Sequence, residues 1–218
     1  MRYTFEYGEM LNCDCVSLIL KVEDAAQIIS MEKVNGVFRA EIECNEQEIV
    51  YKFILNNILR VNDANAVAYG KDENGEVWSK YINNSRRKQN EVRNFKYSVS
   101  NKKLKKYSKS IRTIIYPNES NVWLNVFLNL SNEIHSVTVI WYDVEGKISL
   151  AQEKAIDLSH RKCACNVKLN FCMNLDKSDV KAGIWKINLL IDGKVVIADY
   201  FAVTTATAGT HNVINALV

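Results

Sequence analysis

Proline is nearly missing from this chain, with one, Pro117, among 218 residues, and histidine is almost as scarce at three. Also missing is any apolar run near the roughly 20 residues that span a bilayer, so no membrane partner is expected. The N-terminal stretch MRYTFEYGEMLNCDC lacks the basic-then-apolar order of a secretory signal and carries an acid within its first six residues. The expected compartment is therefore the cytoplasm. Strand–helix alternation is absent throughout, which excludes a parallel α/β enzyme core. The chain contains no G-x-S-x-G elbow, phosphate loop, H-E-x-x-H or G-x-G-x-x-G. His135, His160 and His211 are far apart in sequence, near loops or the tail, and read as exposed polar residues. Carboxylates are plentiful, but nothing selects a pair at glycosidase separation. No catalytic residue, metal or cofactor is assigned, and a non-catalytic protein is expected.

What is present is a hydrophobic share of 48%, enough for real cores. Six cysteines accompany it: Cys13, Cys15, Cys44, Cys163, Cys165 and Cys172. A chain of this length and apolar content needs no disulfide staples, so reduced thiols are the simpler reading. The C-x-C pairs at 13–15 and 163–165 are spaced more tightly than usual zinc ligands. On an extended strand, Cys163, Cys165, Val167, Leu169, Phe171 and Met173 share one parity, which predicts core packing.

The dominant signal is β. Residues 183–203, GIWKINLLIDGKVVIADYFAV, spell two strands joined at Asp192-Gly193, a dipeptide suited to a tight hairpin. Upstream, VSLILKV (16–22), VFRAEIEC (37–44) with Phe38, Ala40, Ile42 and Cys44 on one face, and IVYKFIL (49–55) recur at roughly ten-residue spacing. A strand through Val77, Trp78 and Tyr81 follows the Asn74-Gly75 turn, and a short helix is expected around EDAAQIIS (23–30). After Pro117, VWLNVFLNL (122–130), VTVIWYDVEGK (137–147), the cysteine-bearing strand and the closing hairpin belong to a second series of about seven strands. Trp185 falls on its core face, whereas Trp123 and Phe127 lie opposite Val122, Leu124, Val126 and Leu128 and form a candidate interaction patch.

Between the two series, residues 86–112 hold eleven Lys or Arg and one acid, so this segment is near +10 and the remainder near −7. Arg86, Arg87, Lys88, Lys102, Lys103, Lys105 and Lys106 are candidate polyanion contacts, with Phe95, Tyr97 and Tyr107 interleaved as in single-strand binders. The competing reading is a solvated basic linker whose aromatics anchor it to a sandwich, and nucleic acid is not the expected partner.

Residues 16–82 resemble the glycogen-binding modules of AMP-activated kinase β subunits and the early-set domains of branching and debranching enzymes. The resemblance rests on Gly36-Val37-Phe38, Tyr51-Lys52-Phe53, Asn62-Asp63-Ala64-Asn65 and Asn74-Gly75-Glu76-Val77. It implies a sandwich that holds α-glucan by stacking sugar on two exposed tryptophans. Here the two corresponding regions read EDAAQIIS and NNILRVND, without either aromatic. What the resemblance leaves as a site is Lys52 donating to sugar hydroxyls, polar contacts from Asn62 and Asp63, and Tyr69 or Trp78 as a replacement platform. By strand parity alone, Lys52 projects opposite Tyr51 and Phe53 as a solvent-side lysine. Residues 110–204 resemble, less specifically, the immunoglobulin-like modules of bacterial multidomain proteins, through Gly183, Trp185, Phe201 and Val203.

The sequence thus predicts an all-β protein of two tandem immunoglobulin-like, early-set-type β-sandwiches. The expected divisions are residues 1–85, a basic linker 86–109, residues 110–204 and a tail 205–218. The expected role is a binding or structural protein contacting an unidentified protein partner, with a degenerate α-glucan module as the alternative.

Overall fold

A computed structural model describes residues 1–8, 11–22, 25–82, 94–101, 103, 114–115, 119, 121–175 and 180–204. Every regular element among them is a β-strand. No helix among the described residues is long and apolar enough to cross a membrane.

The N-terminal strands are β1 (Arg2–Gly8), β2 (Val16–Val22), β3 (Ala25–Ser30), β4 (Glu32–Val34), β5 (Val37–Glu43), β6 (Glu48–Leu55), β7 (Leu59–Val61), β8 (Ala68–Lys71) and β9 (Val77–Ile82). They form two sheets, β1-β5-β4 and β3-β2-β6-β9-β8, with β7 paired to the end of β6. Alternation explains how the sheets face each other. Tyr3, Phe5 and Tyr7 of β1 point inward and meet Tyr51 and Phe53 of β6, with Phe5–Tyr51 ring centroids 4.7 Å apart and Tyr7–Phe53 5.2 Å apart. Each such fully buried aromatic contributes about 2–3 kcal/mol from apolar area alone.

The C-terminal strands are β10 (Asn94–Ser100), β11 (Ile114–Ile115), β12 (Asn121–Leu130), β13 (Ile134–Tyr142), β14 (Ile148–Asp157), β15 (Cys165–Asn174), β16 (Gly183–Ile191) and β17 (Lys194–Val203). Their sheets are β10-β12-β15 and β11-β17-β16-β13-β14. Short β11 runs parallel to β17 while the other pairs are antiparallel. This division of strands follows the immunoglobulin plan, with a buried tryptophan, Trp141, on the third long strand. Trp141 meets Phe201 edge-on at 6.0 Å, and Trp185 lies 6.2 Å from the same ring.

Three sequence expectations change. EDAAQIIS does not form a helix: residues 25–30 are β3, zipped to β2 from Val22↔Ala25 to Ser17↔Ser30, so cross-strand pairing satisfies their backbone instead. Residues 94–100, assigned to the basic linker, are β10, paired with β12 from Asn94↔Asn129 to Ser100↔Trp123. The cysteine-bearing strand begins only at Cys165, which packs at the core rim, while Cys163 is exposed before it. The Asp192-Gly193 hairpin forms as read, with φ of 53° and 77°.

Candidate functional site

The polar residues of the glucan-like resemblance converge where the two sandwiches meet. On β6, Tyr51 and Phe53 fill the N-terminal core while Lys52 projects through the opposite sheet face. That face is not open to water. Ile19, Ile54 and Trp78 form a small apolar cluster there, and Lys52 is 0% exposed. Its Nζ donates to Glu76 Oε1 at 2.8 Å and to Glu153 Oε2 at 2.9 Å, and lies 5.5 Å from the Trp78 ring centroid. Glu153 belongs to β14, so one side of this ion cluster comes from the other sandwich. The solvent-side placement of Lys52 is thus corrected: strand parity was right, but Glu76 and, from the other sandwich, Glu153 close over its ammonium group.

Glu76 is held by the turn before β9. Asp72 Oδ1 accepts the Asn74 and Glu76 backbone N–H groups at 3.0 and 2.9 Å, and Gly75 N–H donates to Asp72 O at 3.0 Å. Asp72 Oδ2 takes Lys21 Nζ at 3.2 Å and Trp78 Nε1 at 3.1 Å. Burial pushes the Asp72 pKa upward, but the bonds from the Glu76 backbone, Lys21 and Trp78 outweigh this and hold it below its ordinary value.

Asn62 extends the junction. Its Nδ2 donates to Val77 O at 3.2 Å and to Glu153 Oε1 at 3.3 Å, and Ser136 Oγ donates to that same carboxylate oxygen at 2.7 Å. Asp63 accepts Tyr51 O–H at 2.7 Å, and burial, reinforced by the Asp63 charge and this hydrogen bond, raises the Tyr51 pKa well above the usual phenol range. The Tyr69 hydroxyl sits between Asp63 O at 2.7 Å and Asp192 O at 3.0 Å, joining the N-terminal loop to the closing hairpin. Gly193 of that hairpin approaches so closely that a Cβ would lie 1.9 Å from Asn62 O. Nearby, Ile140 and Leu190 enter the N-terminal core cluster, with Tyr142, Ile148 and Val195 at its margin.

His135 braces the hairpin from the C-terminal side and is 1% exposed, not the exposed residue expected. Its Nδ1 lies 2.8 Å from Asp192 Oδ2, and Asp192 Oδ1 accepts Ser136 N–H at 2.8 Å. Burial lowers the imidazole pKa, but the Asp192 hydrogen bond and charge raise it further, so the net shift is upward. His160 is exposed, and His211 lies outside the described residues.

The other sequence candidates are separate from this junction. Trp123 and Phe127 are half-buried on the outer face of β12, in rows Ser100–Trp123–Cys172 and Lys96–Phe127–Lys168. Between them Asn125 is 0% exposed, donating to Ser100 Oγ at 3.0 Å and accepting Asn170 Nδ2 at 2.7 Å. The two aromatics thus lie on the outward face that parity predicts, separated by a closed polar centre. Lys103 is exposed, while Arg86, Arg87, Lys88, Lys102, Lys105 and Lys106 lie outside the described residues.

Glu76, Glu153, Ser136, His135 and Asp192 were missed as junction residues. Glu76 and Asp192 had local turn signals, the D-x-x-G and Asp-Gly sequences that fix their backbones, whereas Glu153 sits 101 positions from Lys52.

No family model matches the chain. No curated protein matches it. Solved structures to which it is similar include a β-glucosidase from Listeria innocua in complex with glucose, at 9% identity and TM-score 0.35, covering 53% of this chain and 16% of that one. An immunoglobulin-like protein from Pseudomonas aeruginosa is similar at 11% identity and TM-score 0.35, over 53% of this chain and 96% of that one. Dimeric latent PorU from Porphyromonas gingivalis is similar at 10% identity and TM-score 0.34, over 94% of this chain and 18% of that one. The chain thus spans about a sixth of the β-glucosidase's length, and likenesses at these TM-scores carry no argument about activity.

Proposed function

We propose that this chain is a non-catalytic binding or structural protein in which two β-sandwiches are clasped as one unit and mediate protein–protein contacts. The observation that supports this reading is where its sugar-site candidates are spent. Lys52, Asn62, Asp63 and Trp78 are at most 9% exposed, and all four are engaged in or beside the junction. An open α-glucan site needs an accessible aromatic platform and free polar groups. Tyr69 is half-buried, with its hydroxyl committed to two backbone carbonyls. A ligand recruiting these residues would have to part the two sandwiches. The cytoplasm is the proposed compartment, supported by six free cysteines, two of them exposed.

Co-sedimentation of the full chain with glycogen or starch granules tests the reading. The expected result is no retention above a bovine serum albumin control. Retention abolished by soluble maltooligosaccharide would overturn this reading in favour of the degenerate α-glucan module.

A further inference from the structure

The outer face of the five-stranded C-terminal sheet is only partly covered by the N-terminal sandwich. Register places Ile140 opposite Asn188 and Thr138 opposite Leu190, and Ile140 and Leu190 are buried in the N-terminal core cluster. The next rows on the same face are Tyr142–Lys186–Tyr200, then Ile184–Ala202–Ile114. Here burial ends: Tyr200 is 56% exposed, Ile184 48% and Ile114 38%. Three large hydrophobics on adjoining strands therefore make one exposed patch continuous with a sandwich-to-sandwich contact.

We propose that this patch docks a second copy of the same chain, face to face about a twofold axis. Three features favour that occupant. The adjoining rows already receive a β-sandwich of this sequence, so the face accepts sandwich packing. The two open rows contain no acid, and their single cation, Lys186, lies 5.4 Å over the ring of its own Tyr142. Apposing two copies therefore buries apolar surface on apolar surface, with the lysine charge engaged by an aromatic face. An isologous contact also needs only one such patch per chain, as a twofold interface uses the same surface twice.

The inference rests on the binding-module reading, and its test is separate from the glucan assay. Sedimentation velocity on the full chain over a concentration series should show a reversible monomer–dimer equilibrium. The variant Ile184→Lys/Tyr200→Lys should remain monomeric across that series and unfold at the midpoint that wild type shows at its lowest, monomeric concentration, because both side chains are exposed. A wild type monomeric at every concentration would overturn the proposal, as would a double variant that dimerises like wild type. Monomeric wild type that also ignores glycogen would reject the second copy and leave protein contact with another partner standing. Glycogen retention would reject the underlying reading itself.

Discussion

Two turns in this protein have the same construction and opposite surroundings. In the Asp72–Glu76 turn, Asp72 Oδ1 accepts two backbone N–H groups, and Gly75, at φ 81°, donates back to Asp72 O. In the Asp143–Lys147 turn, Asp143 Oδ1 accepts the Glu145 and Lys147 N–H groups at 2.9 and 2.8 Å, and Gly146, at φ 77°, donates to Asp143 O at 3.0 Å. The first turn delivers Glu76 to a lysine excluded from water. The second delivers Glu145 to Lys147 and Lys181, whose side chains are 75% and 61% exposed. Local sequence chemistry sets the turn, while burial decides whether the ion pair it presents matters energetically.

Removing the buried partner should have the largest effect. Lys52→Ala leaves Glu76 and Glu153 facing each other without their shared cation. Loss of one partner from a buried pair typically costs 3–5 kcal/mol, and these carboxylates keep 31% and 25% side-chain exposure, so about 3 kcal/mol is expected. Denaturant unfolding measures it, and a change no larger than that of an ordinary surface lysine would place the cluster in water.

A matched glycine pair sharpens the comparison. Gly193 and Gly146 share φ of 77°, but a Cβ on Gly146 meets nothing within 4 Å. Gly146→Ala should cost about 1–2 kcal/mol, the strain of the left-handed conformation alone. Gly193→Ala adds the collision with Asn62, and overpacking of that kind costs roughly 1–3 kcal/mol more. Equal losses in thermal unfolding would mean that the hairpin does not press on the N-terminal loop.

A smaller effect should appear as a pH dependence. His135 has a folded pKa above its ordinary value, so protonation favours the folded state. Its contribution is fully present below the unfolded pKa of about 6.5 and is lost as pH rises through the higher folded value. Wild type should therefore lose stability over that interval relative to His135→Gln. Parallel stability profiles for the two proteins would remove His135 from the account.

The smallest response belongs to the exposed turn. Hydrogen bonds from Lys181 and Lys147 bring the Glu145 pKa down to about 2, yet both lysines remain in water. Glu145→Gln should leave the unfolding midpoint unchanged in physiological salt. A clear drop would show that exposed and buried versions of this turn are energetically alike.

How much of this was legible depended on sequence distance. The β16–β17 hairpin was readable because Asp192-Gly193 and its flanking alternation are contiguous. β1 carries an equally clear alternation in RYTFEYG, whose Tyr3, Phe5 and Tyr7 all point inward. β14 had no comparable signal. ISLAQEKAID lies on a sheet edge, where polar residues are compatible with an open backbone side. Lys52 was found through its motif and misplaced because alternation identifies two faces without saying what covers the second. Glu153 reaches it from the other sandwich, a relation that no local pattern encodes.

The central claim is that Lys52 and Glu153 couple one sandwich to the other, and a double-mutant cycle tests it directly. Lys52→Met, Glu153→Gln and the combined variant should unfold with a coupling energy of about 1–2 kcal/mol, within the range for contacting charged residues. Additivity within about 0.5 kcal/mol would contradict the account, because it is the behaviour of sites that do not touch.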